Sequence, residues 1–453
     1  MLLPRRLDTM PLLLMRLPHC LSLRAGAVAG GARARARAGS RMAALHTQAS
    51  QSLSAAGSPS SSASSKSASV RSLEVGILGM PNVGKSSLFN ALSGGLNAEA
   101  SNFPFCTINP NFGVLKVDDK ALATIAQHIA TQRVVQAEVR IVDIAGLVKG
   151  ASQGAGLGNK FLSHVRQVDA LMHVVRCFPD DEITHVDGEV NPLRDLETIE
   201  MELVLADLQT MERMLARAKP GKRSWLASVP QATVGTLKLS ETDIDALMQR
   251  AFEWLNNGKP IRSLLGTLPT PEERDVLQAC ASQLLTVKPM IYIANVDESQ
   301  AMELASGRSI PQIDAVKAKG DVIPVCVKTE MDLLEVESKE ERLELLSSLG
   351  MAESAGSVIS RRVYDLLGLQ SFYTAGEQEI KAWSILKGST AVAAAGRIHT
   401  DFMRTFIKAE TYSVADLEEY KTEAAVKAAG KMRSEGKGYI VQPNDIMHFL
   451  LGR

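Results

Sequence analysis

The 453-residue sequence predicts an α/β fold, a strand-and-helix core with an α-helical insertion and a small C-terminal β-rich domain. Three observations predict it. An apolar run, LEVGIL (73–78), leads at once into GMPNVGKS (79–86) and then into a helical stretch, SLFNALSG (87–94). Two later strand-like runs, VRIVD and PMIYIA, each end in a short polar motif. Between those two runs the apolar period changes to that of a helix over residues 195–215.

The first element carries the most chemistry. Gly79-x-x-x-x-Gly84-Lys85-Ser86 between a strand and a helix is a phosphate-binding loop, in the context that motif requires. Its glycines let the backbone curl so that Asn82, Val83 and Gly84 aim N–H groups at a β-phosphate. Lys85 is placed to reach the β- and γ-phosphates and Ser86 to ligate Mg2+, while Ser87 lies near an α-phosphate at the positive end of the helix.

The next pieces follow in order. NFPFCT (102–107) is a loop before the strand-like FGVLKV (112–117), and a threonine there, Thr107, suits a magnesium-sensing switch. Asp143 ends the run VRIVD, and with Gly146 forms D-x-x-G: the carboxylate would hold magnesium through water and the glycine N–H would meet the γ-phosphate. PMIYIA (289–294) ends in Asn295-Val296-Asp297-Glu298. Nucleotide-binding proteins that select guanine use N-K-x-D here, the Asp accepting from the guanine N1–H and N2 amino groups. With Val296 for lysine and Glu298 for aspartate that clamp is misplaced, so adenine is expected to be favoured. The alternatives are that Glu298 still reaches guanine or that Asp297 takes over.

Residues 195–215 form an amphipathic helix of about 30 Å by rise per residue. A second helical stretch, 271–285, opens with Thr270 as cap, Pro271 at the first position and Glu273 to complete a capping box. Together they suggest an antiparallel hairpin. The expected domains are a Ras-like P-loop NTPase core over 73–194 and 286–368, the helical insertion over 195–285, and a C-terminal domain over 369–453. Short strands around a helix give that last domain a β-grasp look. Its Lys408, Lys421, Lys427, Lys431, Arg433 and Lys437 form either a basic face or a solvated mixed-charge surface.

Composition sets the bounds. Apolar residues make 45% and charged residues 22% of the chain, ordinary for a globular protein, and no run is long enough to cross a bilayer, so no membrane partner is expected. Five scattered cysteines argue against a disulfide framework or zinc site. The net charge of +0 hides an asymmetry. Residues 1–72 hold ten Lys or Arg and one acid, leaving 40 basic against 49 acidic groups for the rest. The acidic body gives no global drive toward nucleic acid. The Arg- and Ser-rich, acid-poor segment 1–72 fits a transit peptide, mitochondrial with plastid as the alternative. A disordered tail or an upstream start, with a cytoplasmic protein, is the other reading.

Taken together, GMPNVGKSSLFNAL, NFPFCTINPN, VDIAGLVKGASQGAGLGNKFL, HVVRCF, NVDE and the stretch from Leu369 resemble the YchF/Obg-like ATPase family, over nearly all of residues 73–453. The resemblance implies hydrolysis of ATP in preference to GTP, a TGS domain at the C-terminus, contact with the ribosome or rRNA, and a monomer. The glycine-rich 150–160 reads as a mobile second switch. Leu147 stands where Ras-like enzymes place a water-orienting glutamine. The resemblance supplies His185 as the catalytic candidate, in an acidic loop expected to be mobile and exposed; a loop histidine without a role is the alternative. His173, within ALMHVVR, is expected in the core. Two departures stand out: the ending HFLLGR, and the central segment 219–259, which lacks the charged pattern of the family's helical hairpin. Competing functions are a GTPase assembly factor and a nucleotide-gated scaffold with incidental hydrolysis.

Overall fold

The computed structural model describes residues 72–95, 111–144, 157–186, 188–217 and 239–452. Thr107, Gly146, Leu147 and most of the glycine-rich segment lie outside the described residues.

Between residues 74 and 325 the chain builds a six-stranded sheet in the order β2-β4-β1-β5-β6-β7. Its strands are β1 (Glu74–Leu78), β2 (Asn111–Lys116), β4 (Glu138–Asp143), β5 (Ala170–Arg176), β6 (Met290–Asn295) and β7 (Val322–Val325). All neighbours are parallel except β2, which pairs antiparallel with β4. Strands β5 and β6 are buried along their whole length, which is why they read as unbroken apolar runs; edge strand β2 instead alternates and exposes Phe112. Helix α1 (Lys85–Leu92) follows the phosphate loop, starting two residues before the helical stretch read from the sequence. Helix α2 (Lys120–His128) is capped by Asp119, and α3 (Leu157–Gln167) leads into β5.

The insertion begins with α4 (Pro192–Arg217), which starts three residues earlier than the periodicity suggests. Helices α5 (Glu241–Asn256), α6 (Ile261–Leu265) and α7 (Pro271–Cys280) pack with it around their own core, including Met211, Met248, Leu264 and Leu277. The capping box at Thr270 and Glu273 forms as expected, but α7 ends at Cys280 rather than 285. The reason lies in Asp207 of α4. Its buried carboxylate accepts from the Leu285 and Thr286 N–H groups, both at 2.7 Å, and holds that segment as a turn entering β6.

The strand β3 (Val134–Val135) leaves the first sheet to pair with a second one, ordered β11-β10-β12-β8-β9-β3. There β8 (Leu369–Thr374), β9 (Ile380–Leu386), β10 (Phe406–Ser413), β11 (Arg433–Glu435) and β12 (Asp445–Leu451) come from the C-terminal segment. The Tyr373 hydroxyl donates to Asp119 at 2.7 Å, tying this sheet to the cap of α2. One apolar cluster runs from Val75 through Ile359 to Ile446, so the first and last thirds of the chain share a core.

Candidate nucleotide site

The loop between β1 and α1 takes the shape its residue types dictate. Asn82 and Gly84 adopt positive φ, 58° and 95°. At Gly84 the need is double, since a Cβ would lie 2.5 Å from the Asn295 amide nitrogen. Val83 is buried beneath the loop, and Ser87 sits half-buried in the first turn of α1. Lys85 is also buried, and its ammonium donates to the Met80 carbonyl at 2.7 Å. Burial lowers its pKa to about 8, offset in part by the Asp143 carboxylate.

Ser86 and Asp143 meet. The hydroxyl donates to Oδ2 at 2.8 Å, across the gap between α1 and β4. A hydroxyl beside a buried carboxylate is a fitting pair of oxygen donors for a hard cation such as Mg2+. Among the described residues no group of three His, Cys, Asp or Glu side chains could hold a metal alone. A cation here would therefore depend on the nucleotide and water for its remaining ligands.

At the far end, both ends of the Asn295 amide meet protein backbone. Its nitrogen donates to the Val83 carbonyl at 2.9 Å, and its oxygen accepts from the Val327 N–H at 3.4 Å, so it clamps β6 to the phosphate loop and to the start of the helix Val327–Glu335 after β7. Val296 is 2% exposed and belongs to the core. Its side chain packs there, which leaves its backbone rather than its side chain to meet a nucleotide. Asp297 caps the helix α8 (Glu298–Ala305): its carboxylate accepts from the Gln300 N–H while Gln300 accepts in return. Glu298 pairs with Lys328 at 3.0 Å, and that carboxylate raises the lysine's pKa. Both carboxylates are thus engaged by protein groups.

His185 also departs from expectation. It is buried, not exposed, and Nε2 lies 2.8 Å from Asp195 Oδ2 on α4. Beside a carboxylate, that nitrogen carries the proton. The loop is fixed from inside by Arg176, whose guanidinium donates to the carbonyls of Phe178, Asp180 and Ile183 at 3.0–3.1 Å. Asn82 then donates to the Thr184 carbonyl at 3.0 Å, so the residue before His185 rests on the phosphate loop. His173 is in the core as expected, against the Tyr292 ring, and burial lowers its pKa to about 3. His164 lies in the last turn of α3, where burial and then the Lys160 charge lower its pKa.

Sequence reasoning missed Arg176, Asp195 and Lys328. Arg176 left one signal: a charged residue ending an otherwise apolar buried strand must find carbonyls or a carboxylate. Asp195 and Lys328 gave none, because their partners come together only through the fold.

Comparison with known proteins agrees with this geometry. Residues 74–207 match the family described as 50S ribosome-binding GTPase, and 369–451 match the YchF-GTPase_C family. The chain is 43% identical over 379 residues to the Ribosome-binding ATPase YchF of Bacillus subtilis (strain 168), covering 83% of this chain and 98% of that protein. Against the Ribosome-binding ATPase YchF of Escherichia coli O157:H7 it is 44% identical over 377 residues, with the same coverage. Among solved structures, the YchF GTPase of Schizosaccharomyces pombe superposes with a TM-score of 0.67 at 34% identity, covering 83% of this chain and 97% of that one. The phosphate loop, the matched C-terminal domain and identity sustained over nearly the whole of these relatives place the chain in the YchF family.

Proposed function

We propose that the chain is a magnesium-dependent nucleoside triphosphatase that prefers ATP to GTP and works as a nucleotide switch in contact with the ribosome. The observation that carries the base preference is the engagement of both acids after β6, Asp297 as a helix cap and Glu298 with Lys328. A guanine bound there would leave its N1–H and N2 amino groups without their usual acceptor. The names of the YchF relatives support both the ATPase and the ribosome parts of this reading.

Lys85 and the loop N–H groups bind the polyphosphate, and Ser86 with Asp143 would hold Mg2+. The ion supplies charge stabilisation at the phosphates when bound. Thr107 and Gly146, outside the described residues, are assigned the switch roles by the order of the motifs. His185 orients the attacking water, and Asp195 fixes its tautomer by accepting from Nε2–H, which leaves Nδ1 as the acceptor side. The C-terminal domain is taken as a TGS module, the chain as a monomer, and residues 1–72 as a mitochondrial transit peptide.

Phosphate release by the full chain tests the assignment. ATP turnover should need magnesium and vanish in Lys85→Ala; turnover that survives in that variant would sink it. A second reading, a nucleotide-gated scaffold with incidental hydrolysis, draws on the burial of His185, which suits slow turnover. It would be favoured by a His185→Ala variant that loses hydrolysis yet keeps its partner.

A further inference from the structure

Residues 177–186 form a loop after β5, and the way that loop is held is unusual. Five of its backbone carbonyls accept from side chains. The Gln300 amide donates to the Cys177 carbonyl at 2.9 Å, and Arg176 donates to those of Phe178, Asp180 and Ile183. Asn82 donates to the Thr184 carbonyl at 3.0 Å. The donors come from α8, from the end of β5 and from the phosphate loop. Each of these bonds fixes main chain rather than a loop side chain, while Asp180, Asp181 and Glu182 stay exposed.

Arg176 is the costly member of the set. It is 1% exposed, its guanidinium lies 5.0 Å from the centre of the Phe178 ring, and its three acceptors are neutral carbonyls. A charge taken out of water is expensive to keep, and an apolar side chain would end a buried strand at less cost. What the guanidinium adds is a rigid planar fork, able to hold three carbonyls spread over residues 178–183 in one arrangement.

The loop ends where the chemistry is placed. Thr184 directly precedes His185, and its carbonyl rests on Asn82, a phosphate-loop residue with φ of 58°. Asp195 grips the His185 ring and sets its tautomer, but the path of 177–184 decides how far the ring stands from the phosphates. We propose that Arg176 is a positioning residue for hydrolysis, which pins the Phe178, Asp180 and Ile183 carbonyls and so places His185 against the bound triphosphate; this rests on the reading of His185 as the group that orients water.

The test follows phosphate release from ATP with magnesium by the full chain, alongside ATP affinity. Arg176→Ala should lower the turnover number about 100-fold, the usual cost of misplacing a reacting group by about 1 Å, with ATP affinity little changed. Millimolar guanidinium ion should restore much of that loss and leave wild type as it was. Arg176→Lys keeps the buried charge without the fork, so it should lose turnover nearly as far, and it carries the test if the alanine variant fails to fold. In a His185→Ala background either change should add no further loss, as for residues that act through one another. A folded Arg176 variant with wild-type turnover would overturn the proposal. So would a loss that guanidinium leaves untouched and that adds in full to the loss of His185→Ala. In both cases a slow His185→Ala leaves the reading of His185 standing. Full turnover in His185→Ala removes that reading, and the role of Arg176 with it.

Discussion

At the residue scale, Lys85 ties nucleotide binding to pH. Its pKa of about 8 without nucleotide lies below the ordinary lysine value because burial disfavours the ammonium. A bound polyphosphate favours the charged form, so binding above pH 8 takes up a proton. Affinity should be flat below pH 8 and fall by up to about tenfold per pH unit above it. Calorimetry at pH 9 in buffers of different ionisation enthalpy should show proton uptake; its absence would count against this account of Lys85. For stability without nucleotide the sign is opposite: the unfolded chain holds more protons between about pH 8 and 10.5, so this residue's contribution rises with pH there. A second residue-scale prediction concerns His185. Asp195→Asn should lower the turnover number about 10- to 100-fold, less than the loss of a positioned base itself because only its orientation is disturbed, with ATP affinity little changed. The pH profile of turnover should also move. An unmoved profile with a loss explained by unfolding would make Asp195 merely structural.

At the scale of elements, Asp207 joins the helical insertion to the entrance of β6. Asparagine there would turn its NH2 toward one of the two backbone donors. Asp207→Asn should cost roughly 1–3 kcal/mol of stability by denaturant titration, as an unsatisfied buried donor does. A milder change, Thr270→Ala, removes half of an observed capping box and should cost about 1 kcal/mol. These two positions also show what sequence reveals about an element. The cap at Thr270 is local chemistry, legible in four consecutive residues. The end of α7 at Cys280 is not, because a carboxylate 78 positions away from Leu285 decides it. The strands were legible for the same kind of reason as the cap: β5 and β6 are buried on both faces and so must be apolar throughout. The phosphate loop was legible because glycine and lysine at fixed spacing are demanded by a phosphate. His185 was misjudged as exposed, since acidic neighbours suggested a solvent loop while Arg176, hidden at the end of β5, binds the loop's carbonyls from within.

At the scale of the molecule, one core joins the nucleotide domain to the C-terminal sheet and takes in Leu196, Ile199 and Leu203 of α4, while the insertion and the C-terminal segment each keep a further core. The base selection proposed above belongs to this scale too, because Asn295, Glu298 and Lys328 come from β6, α8 and the helix that follows β7. The buried position of Val296 warns against testing it with lysine, which would place an ammonium in the core. Glu298 and Lys328 are accessible and better suited. The most direct test of the central claim is the ratio of ATP to GTP affinity of the full chain with magnesium, beside Glu298→Asp and Lys328→Ala. The account predicts tighter ATP binding by wild type, and a ratio moved toward GTP by about tenfold in either variant, about 1.4 kcal/mol. Tighter GTP binding by wild type would contradict it, and would mean that Glu298 leaves Lys328 to clamp guanine.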